Sequence, residues 1–163
     1  MDSSQIQRGQ QWLQEFLQLA GVPAAVKTEM SSAIGESSCW LTIDETKLTP
    51  EQIQGLTGEN GAVIDSVQYL ANTILNIGVE PDQQGAFTID LDGYRQRRYA
   101  ELQAIADRAA ERVRETGTEY ELQSLSAAER RQLHTLLKEC PDLETYSRGQ
   151  EPDRRLVVKL RES

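Results

Sequence analysis

Two groups of residues have types and spacings that suit contact with a phosphate backbone. The first is the glycine pair of "TGENGAVIDSV", Gly58 and Gly61, which opens a helical pattern. Glycine allows positive φ and close approach to the main chain, and a helix N-terminus attracts anions. Asn60 lies between the glycines, beside Glu59, whose charge repels a phosphate. The spacing predicts a backbone-binding loop, and a helix cap followed by a turn is the alternative interpretation.

The second group is cationic and lies in the C-terminal third of the sequence. Arg130 and His134 are four residues apart, so they share one face of a predicted helix. Further cations follow on this helix and in a predicted hairpin, namely Lys138, Arg148, Arg154 and Arg155. We expect these groups to converge into a small phosphate-binding face on which His134 stacks against a base. From the spacing alone, a packing histidine beside a solvated arginine is the alternative.

Other kinds of site have weaker support. His134 is the one histidine, and Cys39 and Cys140 are isolated, so no zinc ligand set is expected, and no calcium-loop spacing occurs. Neither a nucleophile elbow nor a GxxxxGK motif is present. Asp90 and Asp92 are more typical of a solvated strand face than of an acid–base pair. The sequence therefore predicts a protein that is not an enzyme and has no metal or cofactor.

The charge is divided unevenly along the chain. The net charge is −9, and residues 1–93 carry three basic and 13 acidic residues, giving −10. Residues 94–163 carry 14 basic and 13 acidic residues, giving +1. This division favours two modules with different partners, the second of which contacts a polyanion. Without a long apolar run, a signal-peptide pattern or paired cysteines, we expect a cytoplasmic protein that is not inserted in a membrane.

Apolar spacing predicts the elements that position the glycine loop. The predicted order is a helix over 5–20, strands over 24–30 and 38–44 joined by a hairpin, a short helix capped by Thr49, the glycine loop, a helix, and a strand over 86–92. The helix after the loop is expected to have one broad buried face, formed by Val63, Val67, Leu70, Ile74 and Ile77 and widened by Ile64, Ala71 and Leu75.

The cationic residues belong to a second set of predicted elements. A long charged helix over 94–116 is followed by a strand within 118–125. Ser126 and Glu129 form a capping box that opens a helix to about residue 139, before Pro141. Two more strands are predicted over 143–148 and 154–160.

The ordered set of motifs resembles a known family. Arg130-x-x-x-His134 in "ERRQLHTLL", followed by "ETYSRGQEPDRRLVV", is similar to the R-3-H domain, which binds single-stranded nucleic acid. The earlier element order, with its glycine loop, resembles the bacterial type (type II) of KH domain. With a linking helix that begins "LDGYRQRR", the whole resembles the Jag family, also called KhpB.

The resemblance implies an α+β chain with a KH domain over 5–93, a linking helix over 94–117 and an R-3-H domain over 118–163. It implies a non-enzymatic protein that binds single-stranded RNA or DNA, acts in cell division or envelope control, and has a small KH-only partner. By position, Gly58 and Gly61 match the backbone clamp, Arg130 and His134 match the R-3-H signature, and Arg154 and Arg155 match its basic pair.

Glu59 stands where the clamp of the family usually has a basic residue, so we expect the R-3-H domain to make the main RNA contact. An adaptor whose acidic KH half docks a protein is the alternative.

Overall fold

The computed structural model describes residues 1–32 and 37–162. Helices and strands combine in an α+β arrangement, and the chain divides into two compact units, Met1–Gln96 and Arg97–Ser163. Each unit has its own three-stranded sheet and its own hydrophobic core.

The first unit contains three helices and three strands in the predicted order. They are α1 (Ser3–Leu19), β1 (Val26–Ser31), β2 (Ser38–Ile43), α2 (Pro50–Thr57), α3 (Ala62–Leu75) and β3 (Phe87–Leu91). The sheet order is β1-β2-β3, with β1 antiparallel and β3 parallel to β2. The antiparallel pairing of β1 with β2 agrees with the predicted hairpin, whose connection includes residues 33–36, outside the described part of the chain.

The core of the first unit lies between the sheet and two helices. α1 contacts β1, β2 and α3, while α3 contacts β3. Leu13 of α1, Leu41 of β2 and Ile89 of β3 are fully buried, and each such side chain contributes about 1.5–3 kcal/mol on leaving water. Asn72 of α3 fixes the start of β3, because its side chain donates to the Phe87 carbonyl at 2.8 Å and accepts from the Phe87 N–H at 2.9 Å.

The predicted broad buried face of α3 is wrong in part. Ile64, Val67, Ala71 and Leu75 are buried, whereas Val63, Leu70, Ile74 and, just beyond the helix, Ile77 are 39–71% exposed. Residues adjacent in sequence point about 100° apart around a helix, so a sheet that covers one row of side chains leaves the neighbouring row in water. Val63, Leu70, Ile74 and Ile77 form the outer row of α3.

The second unit is built from two helices and an antiparallel sheet. Its elements are α4 (Tyr94–Thr116), whose first turn precedes the unit boundary, β4 (Tyr120–Leu122), α5 (Ala127–Lys138), β5 (Leu143–Arg148) and β6 (Arg155–Leu160). The sheet order is β4-β6-β5. The Ser126–Glu129 capping box that opens α5 is present as predicted.

The long helix α4 is part of the core of the second unit. Leu102, Ala109 and Val113 are buried in one cluster with residues from α5 and the sheet, including Leu133 and Leu156. From Leu102 onward, the helix predicted as a link between domains therefore contributes packing to the second unit.

Candidate nucleic-acid interface

A concave surface lies where α5 packs on the second sheet. Residues directly opposite in an antiparallel ladder have side chains on the same side of the sheet. Thr145 is opposite the buried Val158, and Ser147 is opposite the buried Leu156, so both hydroxyls face α5. We name this surface the α5 concavity; the cavity that it forms has a volume of about 330 Å³. Its lining residues are Ala127, Arg130, Arg131, His134, Thr145, Tyr146, Ser147, Arg154 and Leu156.

Arg130 forms the inner wall of the α5 concavity. Its side chain is 5% exposed, and its Nη1 donates to the carbonyls of Leu125 at 2.6 Å and Arg154 at 3.3 Å. Its Nη2 is paired with the carboxylate of Glu151. These contacts tie the start of α5 to the β5–β6 connection. The geometry supports a positioning role, and the predicted contact of Arg130 with RNA stays a prediction.

His134 lies at the exposed edge of the concavity. Its Nδ1 shares a hydrogen bond with the Thr145 hydroxyl, which fixes the ring against β5. Arg154 is exposed and also lines the concavity, so the structure brings Arg130, His134 and Arg154 together as expected. Lys138 is exposed one helical turn beyond His134 and lies outside the lining of the concavity described above.

Arg148 and Arg155 do not join this group, so the expected convergence is wrong for these two residues. They lie opposite each other in the β5–β6 ladder, and Arg148 is three positions from Thr145 along β5. Because strand side chains alternate, Arg148 and Arg155 point to the face of the sheet away from α5. We name that side the outer face.

The arginines of the outer face are paired with carboxylates from β4 and the residue before it. Arg148 Nη1 is 2.8 Å from Glu119 Oε1 and 2.6 Å from Glu121 Oε1, while Arg155 Nη1 is 2.8 Å from Glu121 Oε2. The hydrogen bond from Arg148 lowers the pKa of Glu119, and those from Arg155 and then Arg148 lower the pKa of Glu121. The carboxylates therefore stay ionised and offset the positive charge of this face.

The glycine loop of the first unit has conformations that explain its glycines. Gly58 has φ 75°, and a Cβ there would lie 2.6 Å from Cγ2 of Val63. Gly61 has φ 80°, and its Cβ would collide with the Tyr94 hydroxyl. Gly58 caps α2 and Gly61 precedes α3, so the helix-cap interpretation accounts for both. Glu59 and Asn60 are exposed between them, and contact of this loop with RNA stays a prediction.

Comparisons with known proteins agree with the arrangement of the second unit. The R-3-H domain family matches residues 100–160, which run from within α4 to the end of β6. RNA-binding protein KhpB of Lactiplantibacillus plantarum is 31% identical over 141 residues, covering 83% of this chain and 40% of that protein. KhpB proteins of Clostridium symbiosum (30% identical) and Bacillus subtilis (28%) match over 65% and 72% of the chain, and over 47% and 60% of their own lengths.

The chain is similar to KhpB proteins over most of its length, in agreement with its resemblance to the Jag (KhpB) family. It spans less than two thirds of the length of these KhpB relatives. The R-3-H match begins at residue 100, earlier than the predicted boundary at 118, in agreement with the packing of α4 in the second unit.

The sequence-based prediction missed one cation of the α5 concavity. Arg131 is exposed and lines the α5 concavity, three residues before His134 and therefore on a neighbouring part of the same helix face. No ion pair to Arg131 or Arg154 is found within residues 1–32 and 37–162. The spacing of Arg131 from His134 was the available signal, and the adjacent Arg130 motif obscured it.

Two further properties concern only the part of the chain that the structure describes. None of its helices is long and apolar enough to cross a membrane. Its histidine, cysteine and acidic side chains form no group of three or more that could hold a metal ion.

Proposed function

We propose that this chain is a non-enzymatic RNA-binding protein that holds single-stranded RNA mainly in the α5 concavity. The main observation in support is that Arg131, His134 and Arg154 all line one concave surface. Neither arginine has a carboxylate partner among the described residues. The RNA-binding KhpB relatives and the nucleic-acid-binding character of R-3-H domains support it.

In this proposal each side chain has a different role. Arg131 and Arg154 contact phosphates, because unpaired guanidinium groups neutralise a polyanion without first breaking an internal ion pair. His134, held by Thr145, offers its ring to a base. Arg130 is a positioning residue rather than a phosphate ligand, because its hydrogen bonds to the Leu125 and Arg154 carbonyls hold the inner wall of the concavity in place. Single-stranded DNA offers the same phosphates and is the alternative ligand.

We also propose that the first unit is a bacterial-type KH domain with a secondary role in RNA binding. The support is the element order α1-β1-β2-α2-α3-β3 and the loop of Gly58 and Gly61 between two helices. The exposed Glu59 and the acidic balance of this unit weaken its attraction for RNA. The family resemblance points to RNA-level regulation in cell division or envelope control.

The outer row of α3 supports a second candidate function. Exposed apolar side chains in a row, without a charged residue among them, suit a protein contact more than solvent. In this candidate the chain is an adaptor whose acidic first unit docks a protein, and a small KH-only protein is the partner that the resemblance implies.

The test of the main proposal compares two faces of the same sheet. Changing Arg131, His134 and Arg154 together to Ala should lower affinity for a single-stranded RNA more than tenfold. Removal of two arginine–phosphate ion pairs should also flatten the dependence of log affinity on log salt by about 1.4. Fluorescence anisotropy titrations between roughly 50 and 200 mM salt measure both quantities.

The matched control is Arg148→Ala with Arg155→Ala, which removes two arginines from the outer face. We expect this variant to keep affinity within about threefold, because those arginines are already paired with glutamates. Equal losses in the two variants would overturn the assignment of the α5 concavity. A wild-type chain without measurable RNA affinity would overturn the main proposal and favour the adaptor.

A further inference from the structure

A second concave surface of the second unit lies between α4 and β4. We name it the α4 groove; it encloses about 540 Å³, and its lining includes Ile105, Arg108, Tyr120, Leu122 and Leu125. Ile105, Leu122 and Leu125 supply an apolar floor, and Tyr120 supplies an aromatic ring. β4 is an edge strand in the order β4-β6-β5, so one side of its backbone is not used by the sheet ladder.

Two arginines of α4 give this groove its charge. Arg108 lines it, and Arg112 lies one turn further along the helix with its guanidinium carbon 5.0 Å from the Tyr120 ring centroid. No ion pair to either arginine is found in the part of the chain that the structure describes. Glu121 also lines the groove, but both of its oxygens are hydrogen-bonded to arginines of the outer face.

Acidic residues of α4 stand beside these arginines. Asp107, Glu111 and Glu115 are exposed on the same helix. Asp107 and Glu111 directly precede the two arginines and therefore point about 100° away from them around the helix. They reduce the local potential without occupying the groove, whose lining contains none of the three.

The α4 groove and the α5 concavity lie on the two sides of the short connection between β4 and α5. Leu125, in this connection, lines the α4 groove, and its carbonyl accepts the hydrogen bond from Arg130 Nη1 at 2.6 Å. Arg130 in turn lines the α5 concavity. The contact between Leu125 and Arg130 therefore lies between the two surfaces.

We propose that the α4 groove is a second RNA subsite that receives the nucleotides adjoining those in the α5 concavity. This inference rests on the proposed function. Arg108 and Arg112 contact phosphates, and Tyr120 with its apolar surroundings takes a base, a combination of cation and aromatic ring that suits single strands without reading their sequence. A continuous strand would then make contacts on both sides of Leu125.

The affinities for a short and a longer RNA strand distinguish the two subsites experimentally. Other single-strand-binding domains hold about 4–16 nucleotides, so we expect a strand of about four to fill one subsite and one of about twelve to reach beyond it. The double variant Arg108→Ala, Arg112→Ala should bind the longer strand about tenfold more weakly than wild type. Its salt dependence should flatten by about 1.4, the value expected when two phosphates of a single strand are no longer neutralised. Its affinity for the shorter strand should stay within about twofold, because that strand fits in the α5 concavity alone.

The control variant is Arg108→Lys with Arg112→Lys, which keeps the charge and should keep the salt dependence. Circular dichroism melting confirms that each variant is folded. If the double alanine variant binds the longer strand as wild type while the α5 concavity variant loses it, the second subsite is overturned and the proposed function stands. Equal weakening on both lengths also overturns the subsite. If neither variant weakens RNA binding, both proposals fail.

Discussion

At the scale of single residues, the neighbours Arg130 and Arg131 differ in their burial and in their contacts. Arg130 is buried and bound to two carbonyls and Glu151, while Arg131 is exposed beside the α5 concavity. The sequence identified Arg130 through its motif but contained no signal of its burial. That burial depends in part on Arg154 and Glu151, which come close to α5 only after β5 and β6 have paired. Folding of the hairpin, rather than spacing on the helix, decides which arginine meets solvent.

The two arginines should respond differently to removal. Arg130→Ala should destabilise the second unit by about 1–3 kcal/mol, because the Leu125 and Arg154 carbonyls lose a buried donor. Arg131→Ala should change stability by less than about 0.5 kcal/mol and weaken RNA binding. Urea unfolding followed by far-ultraviolet circular dichroism measures the first effect.

Tryptophan fluorescence provides an internal reference for the stability of the Arg130→Ala and Arg131→Ala variants. Trp12 and Trp40 both belong to the first unit, so their unfolding transition should not move in either variant. Arg130→Ala with unchanged stability but lost RNA binding would contradict the positioning role and restore Arg130 as a direct phosphate contact.

At the scale of elements, the order of helices and strands followed from the sequence, and the choice of buried face on α3 did not. Caps such as Thr49 and Ser126 act through bonds to residues three positions away, so they are visible in the sequence. The apolar residues of α3 fill two adjacent rows, and only contact with the sheet selects Ile64 and Ala71 over Leu70 and Ile74. The outer face of the second sheet was missed for a related reason, because pairing of Glu121 with Arg155 requires strands far apart in sequence.

The two rows of α3 predict unequal costs for the same substitution. Ile64→Ala should destabilise the first unit by about 2–5 kcal/mol, because Ile64 is 2% exposed and its removal leaves a cavity. Ile74 is 42% exposed, and Ile74→Ala should cost less than about 1 kcal/mol. Urea unfolding followed by tryptophan fluorescence reports on this unit in both variants. Equal costs would show that the outer row is covered in solution.

At the scale of the whole molecule, the two units differ in net charge. The sequence already contains the difference between −10 in residues 1–93 and +1 in residues 94–163. It does not contain the pairing that leaves Arg131 and Arg154 without carboxylate partners among the described residues while it occupies Arg148 and Arg155. A count of cations therefore indicates which half of the chain is suited to bind a polyanion, and only the contacts indicate which of its surfaces is available for the proposed binding.

A charge reversal at Glu59 tests whether the first unit approaches RNA. If the glycine loop lies near the bound RNA, Glu59→Lys should raise the affinity for RNA about threefold to tenfold at roughly 50 mM salt. The gain should shrink at higher salt, because screening increases. Glu80→Lys is the matched control, since Glu80 is an exposed residue of the same unit beyond the other end of α3, roughly 20 Å from the loop. Equal gains in both variants would indicate a general charge effect and no contact by the loop.

In the proposed RNA complex, the carboxylate–arginine pairs of the outer face should also limit how many RNA strands one copy of the protein binds. With Glu119 and Glu121 bound to Arg148 and Arg155, the reverse side of the sheet has little net charge. A polyanion is then attracted to a single side, so complexes should form with one strand per copy instead of networks in which the protein bridges two. Neutralising Glu121 would free Arg155 and leave Arg148 with Glu119 alone, so the variant should gain positive charge on the outer face and begin to cross-link RNA strands.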